Sequence, residues 1–216
     1  VHDNTTTSTR GITFWLLAGC AGLLLIATLA LLPPEKTLGP VIKVIFLHGA
    51  LVRIGLLTFL AAGLLGLSTL FTRSEALLRW CLATQKTAVL IWIVYALSSM
   101  ISTRLSWGEW IAWEEPRVRA SVYVLGFGIA ALLIVLWVNS RIFTGLTNVL
   151  VAIVSWLLVR GASILRHPFD PIGASGSSTY AVLYWLMVAA LLVLAGLLIW
   201  GLEHRSSSIE PSAIEN

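Results

Sequence analysis

The chain has 216 residues, of which 58% are hydrophobic and 11% charged, and its formal net charge is +4. A soluble domain is about one quarter charged, so this composition, with a mean hydropathy of +0.92, excludes a soluble protein and indicates an integral membrane protein. No basic run is present to bind nucleic acid, and Cys20 and Cys81 lie in separate apolar segments, without the CxxC or CxxCH spacing of a thiol redox pair or of covalent haem attachment.

The first segment, VHDNTTTSTR, is polar, and an apolar run over residues 11–32 follows it, ended by Pro33-Pro34. That run exceeds the roughly 7–15 residues of a signal-peptide core and no A-x-A-like site follows it, so it reads as a retained span. Further spans are expected over residues 41–71, 76–102, 120–140, 142–158 and 179–202. Each reaches the length, about 20 residues (range roughly 17–25), that a helix needs to cross a bilayer. The expected fold is therefore an all-α integral membrane protein. Six transmembrane helices form one domain over residues 1–202, with a Trp-rich interfacial loop between helices 3 and 4. Residues 203–216 read as a polar, disordered tail.

The longest interruption among these spans is SWGEWIAWEEPRVR, residues 106–119. Trp107, Trp110 and Trp113 recur every three residues, which on a helix would align them as a tilted stripe. Arg117 and Arg119 follow. An aromatic face beside paired cations suits a flat, apolar, anionic ligand at the membrane surface. The same residues suit an aromatic belt, because Trp is enriched at bilayer interfaces.

An even number of spans puts both termini on one side. That side carries Arg10, Arg73, Arg79, Arg141 and Arg205, while the other carries Lys36, Lys43, Arg104, Arg117, Arg119, Arg160 and Arg166. The positive-inside rule gives only a weak preference here, for termini outside. The second side also holds most of the chemically versatile loop groups. Arg53 and Lys86 are different: each falls about ten residues inside a span, ~15 Å deep. They read as buried near the midplane with no acid of this chain in reach. Either they snorkel or bond backbone carbonyls, or an anionic cofactor or a neighbouring subunit's acid completes them.

His48, in KVIFLHGALVRIG, is the histidine that falls inside a span, just below the Trp-loop side. It reads as a hydrogen-bonding core residue or as an axial haem ligand, imidazole being a common one. His167, in RGASILRHPFDP, lies after the fifth span on the same side and is a candidate second ligand or a solvated loop residue. No nucleophile–base pair or acid dyad is visible, so the chain reads as a non-enzyme. A di-haem cytochrome b would need paired histidines on facing helices, and one intramembrane histidine does not supply them.

WGEWIAWEEPRV resembles the tryptophan-rich WGxWWxWDxRLT signature of the haem-handling proteins of cytochrome c biogenesis, of the CcmC and CcsA type. The signature maps onto Trp107, Gly108, Trp110 and Trp113, then Glu114 in place of aspartate. KVIFLHGA resembles the family's second helix with its histidine, and WLLVRGASILRHPFDP resembles the close of its fifth. Ile111 departs from the pattern, as does the insertion-like Glu115-Pro116. The position of the second family histidine is Val159. The resemblance implies haem b, with His48 and His167 as candidate iron ligands. It further implies stacking by the Trp loop and propionate pairing by Arg117, Arg119 or Arg160. It places the chain in a bacterial-type inner membrane, termini cytoplasmic and Trp loop periplasmic, with membrane lipids and a haem chaperone or apocytochrome as partners. The alternative expectation is a non-catalytic transmembrane subunit of a larger respiratory or photosynthetic complex that has reused this fold, contacting other membrane subunits.

Overall fold

The computed structural model describes residues 4–166 and 176–209, all of their regular structure helical. The order is α1 (Asn4–Leu31), α2 (Ile42–Phe71), α3 (Glu75–Trp107), α4 (Pro116–Val138), α5 (Arg141–Gly161) and α6 (Ser178–Ile209). All six are long and apolar enough to span a membrane. In hydrocarbon every backbone amide and carbonyl must be satisfied within its own segment, and a continuous helix does this without help from neighbours.

Helix α2 is the centre. It packs on α3, α5 and α6, while α1 packs on α6 and α4 on α3 and α5. Between membrane helices there is little hydrophobic drive, so close contact depends on small residues that let backbones meet. Gly66 of α2 meets Gly145 of α5 in this way: a Cβ on Gly66 would lie 2.8 Å from the Gly145 carbonyl oxygen. On α3, fully buried Trp92 packs against Phe59 and Tyr95. Its indole Nε1 donates to the Ser121 carbonyl at 3.0 Å, joining α3 to α4.

Local signals fix the helix ends. Ser74 caps α3 by accepting from the Leu77 amide, and Ser140 caps α5 by accepting from that of Phe143. Pro116 begins α4, where its missing N–H is not needed. Several boundaries differ from the sequence reading: α1 starts at Asn4 and α4 at Pro116, ahead of the expected 11 and 120, and α5 ends at Gly161, past 158. Helix α3 runs five residues beyond 102, because Gly108, in the left-handed conformation at φ +81°, supplies the stop there. Helix α6 continues to Ile209, past the expected start of a disordered tail at Glu203. Glu203 is buried and paired with Arg79 of α3 at 3.3 Å, which holds that turn against the bundle.

Arg53 and Lys86 also depart from expectation. Arg53 is exposed on the bundle surface, not buried, and its guanidinium lies 4.6 Å from the Trp185 ring centroid and 5.4 Å from that of Tyr184. Lys86 is half-buried. Trp92 packs against Gly55, and the Cys81 thiol lies against the Ala62 carbonyl. That register places Arg53 and Lys86 at levels about 9 Å apart along the helices, so they do not share one site.

Candidate functional site at one end of helices 2 to 5

The site is built at the end of the bundle where α2 and α4 begin and α3 and α5 finish. Gly108 ends α3, and residues 108–115 form an irregular turn with no helix in it. The three-residue spacing of the tryptophans therefore produces no stripe. Trp107 is half-buried, with the Arg166 guanidinium 5.3 Å from its ring centroid. Trp110 and Trp113 face outward, 58% and 54% exposed, and Arg104 lies over Trp110. Between them, fully buried Ala112 anchors the turn.

The strongest link in this region comes from Glu115, which the family pattern does not mark. Its side chain is buried, with relative exposure of 1%. Its carboxylate accepts from the Leu165 amide at 3.1 and 3.2 Å and from the Arg166 amide at 3.1 Å. Its backbone carbonyl accepts from the amides of Val118 and Arg119 and starts α4. Arg166 completes the latch by pairing with Glu109 and Glu114. Partial desolvation opposes the Arg166 charge, but the two carboxylates outweigh it and raise its pKa above the ordinary arginine value. Glu114, matched to the family aspartate, thus lies on the exposed side of an ion pair, while its neighbour is the buried acid. An acid directly before a proline at a helix start was the available signal for Glu115. Its partners, 50 positions away, were not readable.

Beneath this loop, a polar column crosses three helices. The Ser121 hydroxyl of α4 donates to the Arg117 carbonyl at 2.8 Å, so in its 2.7 Å contact with Tyr95 the phenol is the donor. The other end of the column is His48 of α2, stacked on the Tyr95 ring at 4.8 Å between centroids and 21° between planes. Arg117 is half-buried above and lies within electrostatic range of Tyr95, Glu115 and Arg160. Val159 is buried, and Arg160 stands exposed over Trp156.

The structure thus brings together His48, Tyr95 and Arg117 under the loop that starts at Trp107 and Gly108, with exposed Arg160 in electrostatic range of Arg117. Trp110, Trp113 and Glu114 stay on its outer side. Arg119 faces away, into a groove between α4 and α5. His167 lies outside the described residues.

Haem can be tested against this set. An imidazole stacked face-on is oriented through its π faces, whereas a metal is bound by an in-plane nitrogen, so the contact with Tyr95 and ligation do not compete. Arg117 and Arg160 are cations of the kind that hold carboxylates. Val159, an aliphatic side chain, binds no iron, and no cluster of three or more His, Cys, Asp or Glu exists among the described residues. Among the described residues one imidazole, His48, and the Arg117 and Arg160 guanidiniums are of the kinds that hold a haem, and they do not make up a bis-histidine site. In comparisons with known proteins, no family model matches the chain and no characterised protein matches it.

Proposed function

We propose that this chain is a haem-handling membrane protein resembling the cytochrome c assembly proteins, diverged in its ligand set, which presents haem b at the outer membrane face. The observation that carries this reading is the column under the latched loop, with His48 oriented by Tyr95 below Arg117. His48 would be the axial ligand and Arg117 and Arg160 the propionate partners. Exposed Trp110 and Trp113 would offer the aromatic surface on which a haem-accepting partner docks. Haem bound there would supply an iron for transfer, held by the His48 imidazole with its propionates at Arg117 and Arg160. The residues themselves bind, orient and screen the group, and no enzymatic step is assigned to them. The membrane in this reading is a bacterial-type inner membrane with the latched loop on the periplasmic side. Absorption spectra of the full chain purified from haem-replete cells, oxidised and reduced, test it. Reduced b-type bands are expected, and a colourless protein would overturn the proposal.

A second reading is favoured by Arg53. An exposed guanidinium part-way down a membrane span, with two aromatic faces and no carboxylate beside it among the described residues, is the surface a neighbouring subunit's acid would complete. The chain would then be a non-catalytic transmembrane subunit.

A further inference from the structure

The outer halves of α4 and α5 part to leave an open groove of about 430 Å³. It lies apart from the His48 column and has two ends of different chemistry. At the end nearest the helix boundary are Pro116 and Arg119 of α4 and Gly161 of α5. Arg119 is exposed, and its guanidinium makes no hydrogen bond or ion pair with a described residue. Arg160, also exposed, precedes Gly161. A Cβ on Gly161 would meet nothing within 4 Å, so the wall is open there. One turn deeper, about 6 Å by helix rise, the lining becomes Tyr123, Leu157 and Leu158. Tyr123 and Leu157 are 60% and 65% exposed, so the groove opens sideways from the bundle, toward lipid.

A cation at the interface above one turn of aromatic and aliphatic wall matches an amphiphile with an anionic head and an apolar tail. We infer that this groove binds one anionic phospholipid of the leaflet bordering this end of the bundle, its phosphate at Arg119 and the upper part of an acyl chain along Tyr123, Leu157 and Leu158. Charge complementarity selects the head: basic pockets between membrane helices hold anionic headgroups in preference to zwitterionic ones. Size selects a lipid over a protein segment. A helix with its side chains is about 10–12 Å across, and a groove one turn deep offers it no interdigitating face. The orientation follows as well. Arg119 lies in the first turn of α4, where the positive end of the helix dipole adds to its charge.

The test uses the full chain in detergent, titrated with phosphatidylglycerol or phosphatidylcholine and read by native mass spectrometry. One phosphatidylglycerol per chain should be retained in preference to phosphatidylcholine. Arg119→Gln should weaken that retention about tenfold, the effect of losing one charge-assisted contact, and Arg119→Lys should restore part of it. Leu157→Trp, at a surface position that tolerates size, should fill the apolar end and remove retention while leaving the detergent melting temperature unchanged. Equal retention of the two lipids would overturn the proposal, as would undiminished retention in both the Arg119→Gln and Leu157→Trp variants. Displacement of phosphatidylglycerol by protoporphyrin, one for one, would assign the groove to haem and also overturn it. A colourless chain that still holds phosphatidylglycerol selectively would defeat the haem reading and leave this one standing.

Discussion

The amide of Arg166 donates to the buried carboxylate of Glu115 at 3.1 Å, across the gap between the loop that precedes α4 and the loop that follows α5. The Arg166 side chain then returns to Glu109 and Glu114 on the first loop. Arg166 thus ties the two loops through a part-buried backbone contact and exposed ionic ones. The two halves should differ in strength. A buried donor left unsatisfied costs about 1–3 kcal/mol, whereas an exposed ion pair contributes roughly 0–1 kcal/mol.

Glu115→Ala removes the acceptor of the part-buried Leu165 and Arg166 amides, which water can reach in part, and should lower stability by about 1–3 kcal/mol. Arg166→Ala removes the exposed pairs and the contact over Trp107 and should lower it by about 1 kcal/mol, an effect that 0.5 M salt should mimic in its ionic part. Thermal unfolding in detergent, combined with protease cleavage of the outer loops, reads both. A larger loss for Arg166→Ala than for Glu115→Ala would show that the latch is ionic and not carried by the backbone.

A second acid gives a pH prediction. Glu35 sits in the turn between α1 and α2 and accepts from the amides of Leu38 and Thr37 at 2.8 and 2.7 Å. These bonds, the Leu38 contact foremost, hold its pKa below the ordinary value of 4.5. The sign follows from which form is favoured. The folded turn prefers the ionised carboxylate, so its contribution is present above 4.5 and is lost as pH falls through the lower, folded value. Amide exchange at Leu38 should therefore be pH-independent in its protection above that window and accelerate, relative to the intrinsic rate, below it. Glu35→Gln should abolish the step. Retention of the step in that variant would place the titration elsewhere.

How much of this could be read in advance depends on the range of the interaction involved. The six spans were legible because each is an apolar run near bilayer length, a property local to the segment. The end of α3 was half-legible: Gly108 is a normal helix stop, but the polar run TRLSW before it hides the extra turn. The tryptophan spacing misled because periodicity implies a face only when the segment is helical, and Gly108 ends the helix at the first of the three. His48 was legible as a residue near the start of α2, but Tyr95 as its stacking partner depends on the register of α2 against α3. Glu115 shows the limit most plainly. Its side chain is no different in sequence from Glu114, and which of the two is buried depends on a loop 50 positions away.

The haem reading makes a separable prediction for the column. His48→Ala should remove or greatly weaken b-type absorption, since it deletes the imidazole. Tyr95→Phe keeps the stacked ring and deletes the hydroxyl donated to Ser121, so the spectrum should persist with stability reduced by about 1 kcal/mol. Spectra unchanged in the His48 variant, with the protein still coloured, would remove His48 from the iron site.

Arg53 provides the test between carrier and subunit. Its guanidinium is exposed, 4.6 Å above the Trp185 ring, and Lys86 lies at another level, so the two can be tested singly. The Cα–Cβ bonds of α2 tilt toward its N-terminus, so the Arg53 stem leads toward the Trp-loop end, and the rings of Trp185 and Tyr184 flank its head. If the chain acts alone, Arg53→Met removes a charge that is costly within a span and gives up a cation–π contact worth roughly 0.5–2 kcal/mol. Melting in detergent should then stay the same or rise. If a neighbouring helix supplies a carboxylate, the same change leaves that acid unpaired in the membrane, a loss of about 3–5 kcal/mol. Assembly after mild extraction should fail for Arg53→Met and survive for Arg53→Lys, while Lys86→Met, half-buried and at a different depth, should have no such effect. Equal assembly of wild type and Arg53→Met would count against a partner acid at this position. The exposed setting of Arg53 favours the opposite result: a buried arginine could be satisfied by its own bundle, whereas this one presents its charge on the surface that a second protein would cover.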